Sequence, residues 1–312
     1  MPYVPISPIS GQNLADSAER RWKGLLEARP DLEPAVDLQR RLLTLVVDLA
    51  GAIEKGGMPR LSLPARYLAA KLARGVPALS GEPVPLPVPT MTPTLIDLCA
   101  ALAGGGAGQA AEHIREVLAT GQIEPGSLLK ASLDRDQDSI RTGGVHRGLS
   151  PDLLWLVSEL AVSPFAHLLQ QQVFCTVGDE ALTMALAAWN RGYCPACGSW
   201  PALAEVVGGQ RTLRCSFCSS AWEMNTFACI YCEASGEGFV AAAPNEARKD
   251  RRIEACSGCG GYLKTVGVRE LSPFPLLSIS DIESTDLDIA AMEHGYARPA
   301  MKDAKRLRAN KS

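Results

Sequence analysis

From residue 12 to residue 190 apolar side chains recur at helical spacing, and the recurrence breaks mainly at proline and glycine. A first helix is expected over 12–26, ending near Pro30. A second starts near Pro34, with Leu38, Leu42, Leu43, Val46, Val47 and Ile53 on its apolar face, and a third runs from Pro64 to about Leu72. Residues 81–93 carry prolines at 83, 85, 87, 89 and 93 and read as an extended connection. The helical pattern returns over 95–102 and stops at Gly104, Gly105 and Gly106. It resumes with Ala111, Ile114, Val117 and Leu118. Residues 134–148 are polar and read as a loop, and two more helices fit 151–169, kinked at Pro164, and 177–189. The expectation is an antiparallel helical array.

At Arg191 the pattern changes to short apolar runs between cysteine pairs, as strands between metal knuckles would be. Strand-like segments lie at 212–214, 221–224, 238–241 and 262–266. An amphipathic segment follows at 282–293. The tail after Gly295, with Arg298, Lys302, Lys305, Arg306, Arg308 and Lys311, reads as solvated. The fold class expected is multidomain α plus small β. A helical domain (1–190) precedes two zinc-ribbon-like four-cysteine modules (191–226 and 227–280) and a helical segment with a basic tail (281–312).

Of ten cysteines, eight form four Cys-x-x-Cys pairs: Cys194/Cys197, Cys215/Cys218, Cys229/Cys232 and Cys256/Cys259. Two pairs supply the four thiolates of one tetrahedral site, so two metal ions can be held. Sequential pairing is simplest, since the intervening 17 and 23 residues are long enough for strands and a reversal; interleaved pairing stays open. Four sulfurs suit zinc or a single iron equally. Zinc would make the modules structural, and iron would permit one-electron chemistry. Gly198 and Gly260 follow their knuckles and accommodate tight turns. Tyr193, Trp200, Trp222 and Tyr262 are expected to shield the sites. Cys99 and Cys175 have apolar neighbours and are expected to be buried.

The N-terminus, MPYVPISPISG, lacks the basic segment and apolar run of a signal peptide, and no uninterrupted apolar run of about 18 residues suggests a membrane span. A reducing cytoplasm is therefore expected, where such cysteines bind metal rather than form disulfides. A net charge of −3 and a pI near 5.9 argue against a chain organised around nucleic acid. Other candidate chemistry is weak. His113 and His167 lie in helical patterns, and His146 in the expected loop is a candidate partner contact. His294 has no acid–base neighbours, Gly104–Gly106 lacks a phosphate loop's lysine, and Asp134, Asp136 and Asp138 lack the rest of a calcium loop.

The run Cys194-Pro195-Ala196-Cys197-Gly198-Ser199-Trp200-Pro201 resembles the first signature of the FdhE family of formate dehydrogenase accessory proteins. The resemblance continues through Leu213-Arg214-Cys215-Ser216-Phe217-Cys218, Trp222 and Cys229-Ile230-Tyr231-Cys232-Glu233. It returns at Glu254-Ala255-Cys256-Ser257-Gly258-Cys259-Gly260-Gly261-Tyr262-Leu263-Lys264, at Asp286-Leu287-Asp288, and at Glu293-His294-Gly295-Tyr296-Ala297-Arg298. These motifs cover about one third of the chain. The resemblance implies a non-enzymatic cytoplasmic protein with two rubredoxin-like modules after a helical domain. Such a protein binds the catalytic subunit of respiratory formate dehydrogenase and supports its maturation before export. It also implies iron in the cysteine sites, with a redox role left open; from the lack of a long apolar run, no stable membrane insertion is expected. Two features depart from the family: no Arg stands in 223–228, and the chain ends in a basic tail rather than an Asn-Pro-Phe-type segment. Alternative readings are a zinc-ribbon nucleic-acid-binding protein and a thiol–disulfide oxidoreductase, the latter requiring an exposed, unmetallated thiolate. An apolar or amphipathic groove on the helical domain is the expected client surface.

Overall fold

The structure, a computed structural model, describes residues 3–6, 11–59, 61, 63–174, 179–224, 226–243 and 248–299. In chain order its elements are β1 (Tyr3–Val4), α1 (Gly11–Ala28), α2 (Glu33–Gly56), α3 (Ala65–Ala73), α4 (Val88–Leu102), α5 (Gly108–Ala119), α6 (Pro125–Leu133), α7 (Gln137–His146), α8 (Pro151–Phe174) and α9 (Glu180–Ala187). There follow β2 (Pro201–Val207), β3 (Gln210–Cys215), β4 (Ala221–Trp222), β5 (Phe239–Ala242), β6 (Arg251–Cys256), β7 (Tyr262–Gly267), α10 (Leu277–Glu283) and α11 (Thr285–Glu293). An N-terminal helical region thus precedes a mixed β-sheet region. The chain divides into two compact units that do not follow chain order. Residues 11–62 and 81–174 form one; residues 1–10, 63–80 and 175–312 form the other. The expected boundary at 190 therefore does not coincide with the compact division, because α3 and α9 pack together in the cysteine-bearing unit.

The helical unit is organised around α8, against which α2, α4, α6 and α7 pack. Leu154, Val157, Ala161, Phe165 and Leu169 on α8 are almost wholly buried. By length and composition α8 alone among the described helices would cross a membrane, but 61% of its apolar window is buried, as in a core helix. On α2, Val36, Val46, Leu49 and Ile53 turn inward, and buried Gln39 is satisfied by the Trp22 indole N–H at 2.9 Å. The glycine run after α4 breaks the helix as expected. Gly106 has φ 114°, and a Cβ on Gly105 would sit 2.4 Å from Leu38 Cδ1, so α2 approaches there only because no side chain intervenes.

Two expectations for this unit fail. Helix α4 begins at Val88, inside the segment read as extended to Pro93. Pro89 occupies the first turn, where no N–H is needed. Pro93 costs one helical hydrogen bond, while Met91, Leu95, Leu98 and Leu102 on either side of it bury a common face. Residues 134–148 are not a loop but contain α7. Asp136 caps it by accepting from the Ser139 N–H (3.2 Å) and hydroxyl (2.6 Å), Ile140 is buried, and Gly144 lets Pro151 approach. Cys99 is fully buried, and burial raises its thiol to about 12. Cys175 lies outside the described residues.

The cysteine-bearing unit contains one seven-stranded sheet in the order β1-β4-β3-β2-β7-β6-β5. Its pairs are antiparallel except β2–β7, which run parallel with Ala204 opposite Thr265. That parallel pair joins the two zinc-ribbon-like modules in one sheet. Helices α10 and α11 bury Leu277, Leu287 and Ala291 against Leu203, Ile253, Ala255, Tyr262 and Val266, so a single core draws on both modules. The segment 282–293, expected as one stretch, is divided at buried Ser284.

Candidate metal centres

Four knuckles share one backbone pattern. In each, the N–H of the first cysteine donates to the carbonyl five residues on: Cys194 to Ser199 (2.9 Å), Cys215 to Ser220 (2.9 Å), Cys229 to Ala234 (2.8 Å) and Cys256 to Gly261 (3.0 Å). The residue four positions after that cysteine takes a positive φ: Gly198 (80°), Ser219 (57°), Glu233 (63°) and Gly260 (68°). Glycine supplies this conformation without strain at two knuckles, and those were legible in the sequence. Ser219 and Glu233 adopt it because the closed turn requires it, and no glycine signals it.

These knuckles meet in sequential order. Cys194, Cys197, Cys215 and Cys218 form one group and Cys229, Cys232, Cys256 and Cys259 another, with the sulfurs of each within 4.8 Å of one another. Between knuckles, Sγ···Sγ distances are 3.6 Å (Cys194–Cys218), 3.5 Å (Cys197–Cys215), 3.7 Å (Cys229–Cys259) and 3.6 Å (Cys232–Cys256). A disulfide needs about 2.05 Å. A tetrahedron of sulfurs about 2.3 Å from a central ion has edges of about 3.75 Å. The cages therefore fit a tetrahedrally bound ion, and either zinc or iron satisfies a four-sulfur donor set.

The electrostatics agree. Burial pushes Cys194 and Cys215 well above the ordinary thiol range; burial also raises Cys232, to about 11. Four thiolates packed this closely need a central cation. The Phe217 and Cys218 amides, each 3.4 Å from Cys215 Sγ, and the Ser199 and Ser220 hydroxyls, 3.3 and 3.1 Å from Cys197 and Cys218 Sγ, add polar partners. All four cysteines of the first cage are buried, whereas Cys232 and Cys259 of the second are partly exposed. Among the described residues, no histidine or carboxylate joins either group.

No family model matches the chain. Protein FdhE from Escherichia coli O127:H6 is 30% identical over 152 residues, covering 47% of this chain and 45% of that protein; Protein FdhE from Escherichia coli O1:K1 is 29% identical over the same length. The crystal structure of the FdhE protein from Pseudomonas aeruginosa superposes with a TM-score of 0.60, covering 96% of each chain at 22% identity, and shows a shared fold. This chain is homologous to the FdhE proteins. Its sequence match spans less than half the length of the curated relatives.

The C-terminal FdhE-like motif has a structural role that sequence reasoning missed. Arg298, read as part of a solvated tail, instead donates to Asp281 (2.9 Å) and Asp288 (2.7 Å) and lies over the Tyr262 ring. Fully buried Lys264 pairs with the same two carboxylates at 2.7 and 2.8 Å, and the Tyr262 hydroxyl donates to Asp288 at 2.7 Å. The Ala297 N–H bonds the Gly260 carbonyl at 2.9 Å, so the motif clamps the last knuckle. The other basic positions of the tail, Lys302 to Lys311, lie outside the described residues. In the first module the matching device is a buried pair, Arg214 with Glu205. Arg214 also donates to the Ser272 carbonyl (2.6 Å), and Glu205 accepts from the Ser272 N–H (3.0 Å).

The aromatic residues expected as shields are packed inside the unit. Trp222 is fully buried and its indole donates to the Arg191 carbonyl at 3.0 Å. Tyr193 is half-buried and bonds the Gly75 carbonyl at 2.7 Å. Of the histidines, His113, His146 and His294 are exposed and His167 is half-buried.

Proposed function

We propose that this protein is a non-enzymatic accessory factor that binds the catalytic subunit of a respiratory formate dehydrogenase in the cytoplasm and supports its maturation before export. The observation that carries the reading is the pair of four-sulfur cages, joined by one sheet, in a chain homologous to the FdhE proteins. Cys194, Cys197, Cys215 and Cys218 would hold one metal ion and Cys229, Cys232, Cys256 and Cys259 a second, iron being favoured by the resemblance and zinc the alternative. Iron would supply one-electron exchange; zinc would only hold the knuckles closed. The chain's own residues shape the cages, and the helical unit is the expected docking region for a client. Sulfur cages committed in this way leave no free thiolate pair for disulfide exchange.

The test is to purify the tagged chain anaerobically from cells making the dehydrogenase, then to measure its metal content and whether the catalytic subunit co-purifies. Two metal ions per chain and specific retention of that subunit are expected. Retention of no dehydrogenase subunit by metal-replete protein would overturn the client assignment.

A further inference from the structure

The two cages are built against each other. Tyr231 lies inside the third knuckle, between Cys229 and Cys232, and is 5% exposed. Its ring meets that of Trp200, three residues beyond Cys197, edge to face with centroids 5.0 Å apart. Its hydroxyl donates to the Tyr262 carbonyl at 3.0 Å. A Cβ on Gly261 would sit 2.8 Å from Tyr231 Cδ2, so the ring is wedged against the fourth knuckle as well. Next to it in the chain, the Ile230 carbonyl is the seat of Gly192, two residues before Cys194; a Cβ on Gly192 would lie 2.0 Å from that oxygen. The segment entering the first cage therefore rests on backbone belonging to the second. Beyond Trp200, β2 pairs in parallel with β7, which begins at Tyr262.

We infer that Tyr231 couples the two cysteine clusters, so that they take up and lose metal as one unit. This rests on the metal-binding reading of the eight cysteines. A knuckle of this size has little core of its own and is held in shape by its ion. Releasing the second cluster frees residues 229–232, and with them Tyr231 and the wall under Gly192. The first cluster then keeps its four sulfurs but loses the surface that positions Trp200 and the turn leading into Cys194. By reciprocity, emptying the first cluster weakens the second by the same factor. The partly exposed Cys232 and Cys259 make the second cluster the point at which a chelator enters. Two independent ribbons, each closed on its own ion, would instead lose metal one at a time.

The experiment uses the full chain loaded with cadmium-113, whose two tetrathiolate sites give separate NMR resonances, titrated with EDTA. In the wild type the two resonances are expected to decline together. In Tyr231→Ala they should separate, with half-loss at chelator concentrations differing by about tenfold. Trp200→Leu removes the same contact from the first module and serves if Tyr231→Ala does not fold. Sequential loss in the wild type overturns the coupling, and parallel loss in both variants overturns the role of Tyr231. Fewer than two bound cadmium ions in the wild type would instead defeat the metal-binding reading.

Discussion

The same four-sulfur cage is built twice in this chain, and the copies differ in what surrounds them. Around the first, Phe217, Trp222 and Trp200 are buried and the Arg214–Glu205 pair is wholly out of solvent. Around the second, Cys232 and Cys259 are partly exposed, and the C-terminal clamp's ion pairs reach solvent around buried Lys264, with Asp281 40% and Arg298 36% exposed. Local knuckle geometry is common to both, so it does not set accessibility. Accessibility is set by the neighbours each module recruits. Burial makes the first cage intolerant of change and leaves the second as the place where water, chelators and oxidants arrive.

The largest expected contrast comes from the ligands. Cys215→Ser removes a thiolate from a sealed cage and is expected to abolish metal binding there and cooperative unfolding of the β-sheet unit. Cys259→Ser leaves a corner that water can reach and should weaken binding while keeping native secondary structure. Thermal melts followed by circular dichroism check both, and equal losses of secondary structure would break the comparison.

The charge devices should differ next. Arg214→Met strands Glu205 in the core and is expected to cost about 3–5 kcal/mol in urea unfolding, much of it recovered by adding Glu205→Gln. Arg298→Ala breaks ion pairs that already meet solvent and should cost only about 1 kcal/mol. A cost for Arg298→Ala matching that for Arg214→Met would show that the C-terminal clamp is as tightly coupled to the core as the buried pair.

The smallest effect is in pH. Burial alone would raise the Asp281 carboxyl, but Arg298 and Lys264 hold it below the ordinary carboxylate range. A carboxyl depressed on folding stabilises above its unfolded value, and that contribution is lost as pH falls through the folded one. The stability difference between wild type and Asp281→Asn is therefore expected to be flat from pH 7 to about pH 5 and to shrink below about pH 4. Thermal unfolding of both across that range checks it, and a difference that grows on acidification would reverse the assignment.

Much of this was legible in the residues. Cys-x-x-Cys spacing defined the knuckles, apolar periodicity found α1, α2 and α8, and the strands fell between the cysteine pairs. The failures have specific causes. Prolines at 87, 89 and 93 argued against helix, yet the face of Met91, Leu95, Leu98 and Leu102 outweighed one missing hydrogen bond. The polar run before Gly148 hid a capped helix with few buried positions. Arg298 looked like tail charge because its partners, Asp281 and Asp288, are 17 and 10 residues away and carry no pattern that pairs them.

By itself the sequence determined that there are four knuckles and which side chains form them, because a knuckle closes over a few adjacent residues and its hydrogen bonds are local. Tertiary structure decided between sequential and interleaved pairing, and it alone decided that β2 lies parallel to β7 and that one cage is sealed while the other stays half-open. Those outcomes depend on contacts between residues tens of positions apart, such as Gly192 on Ile230, Trp200 on Tyr231 and Ala204 opposite Thr265. Such contacts form only when packing brings distant segments together, and no local spacing encodes them.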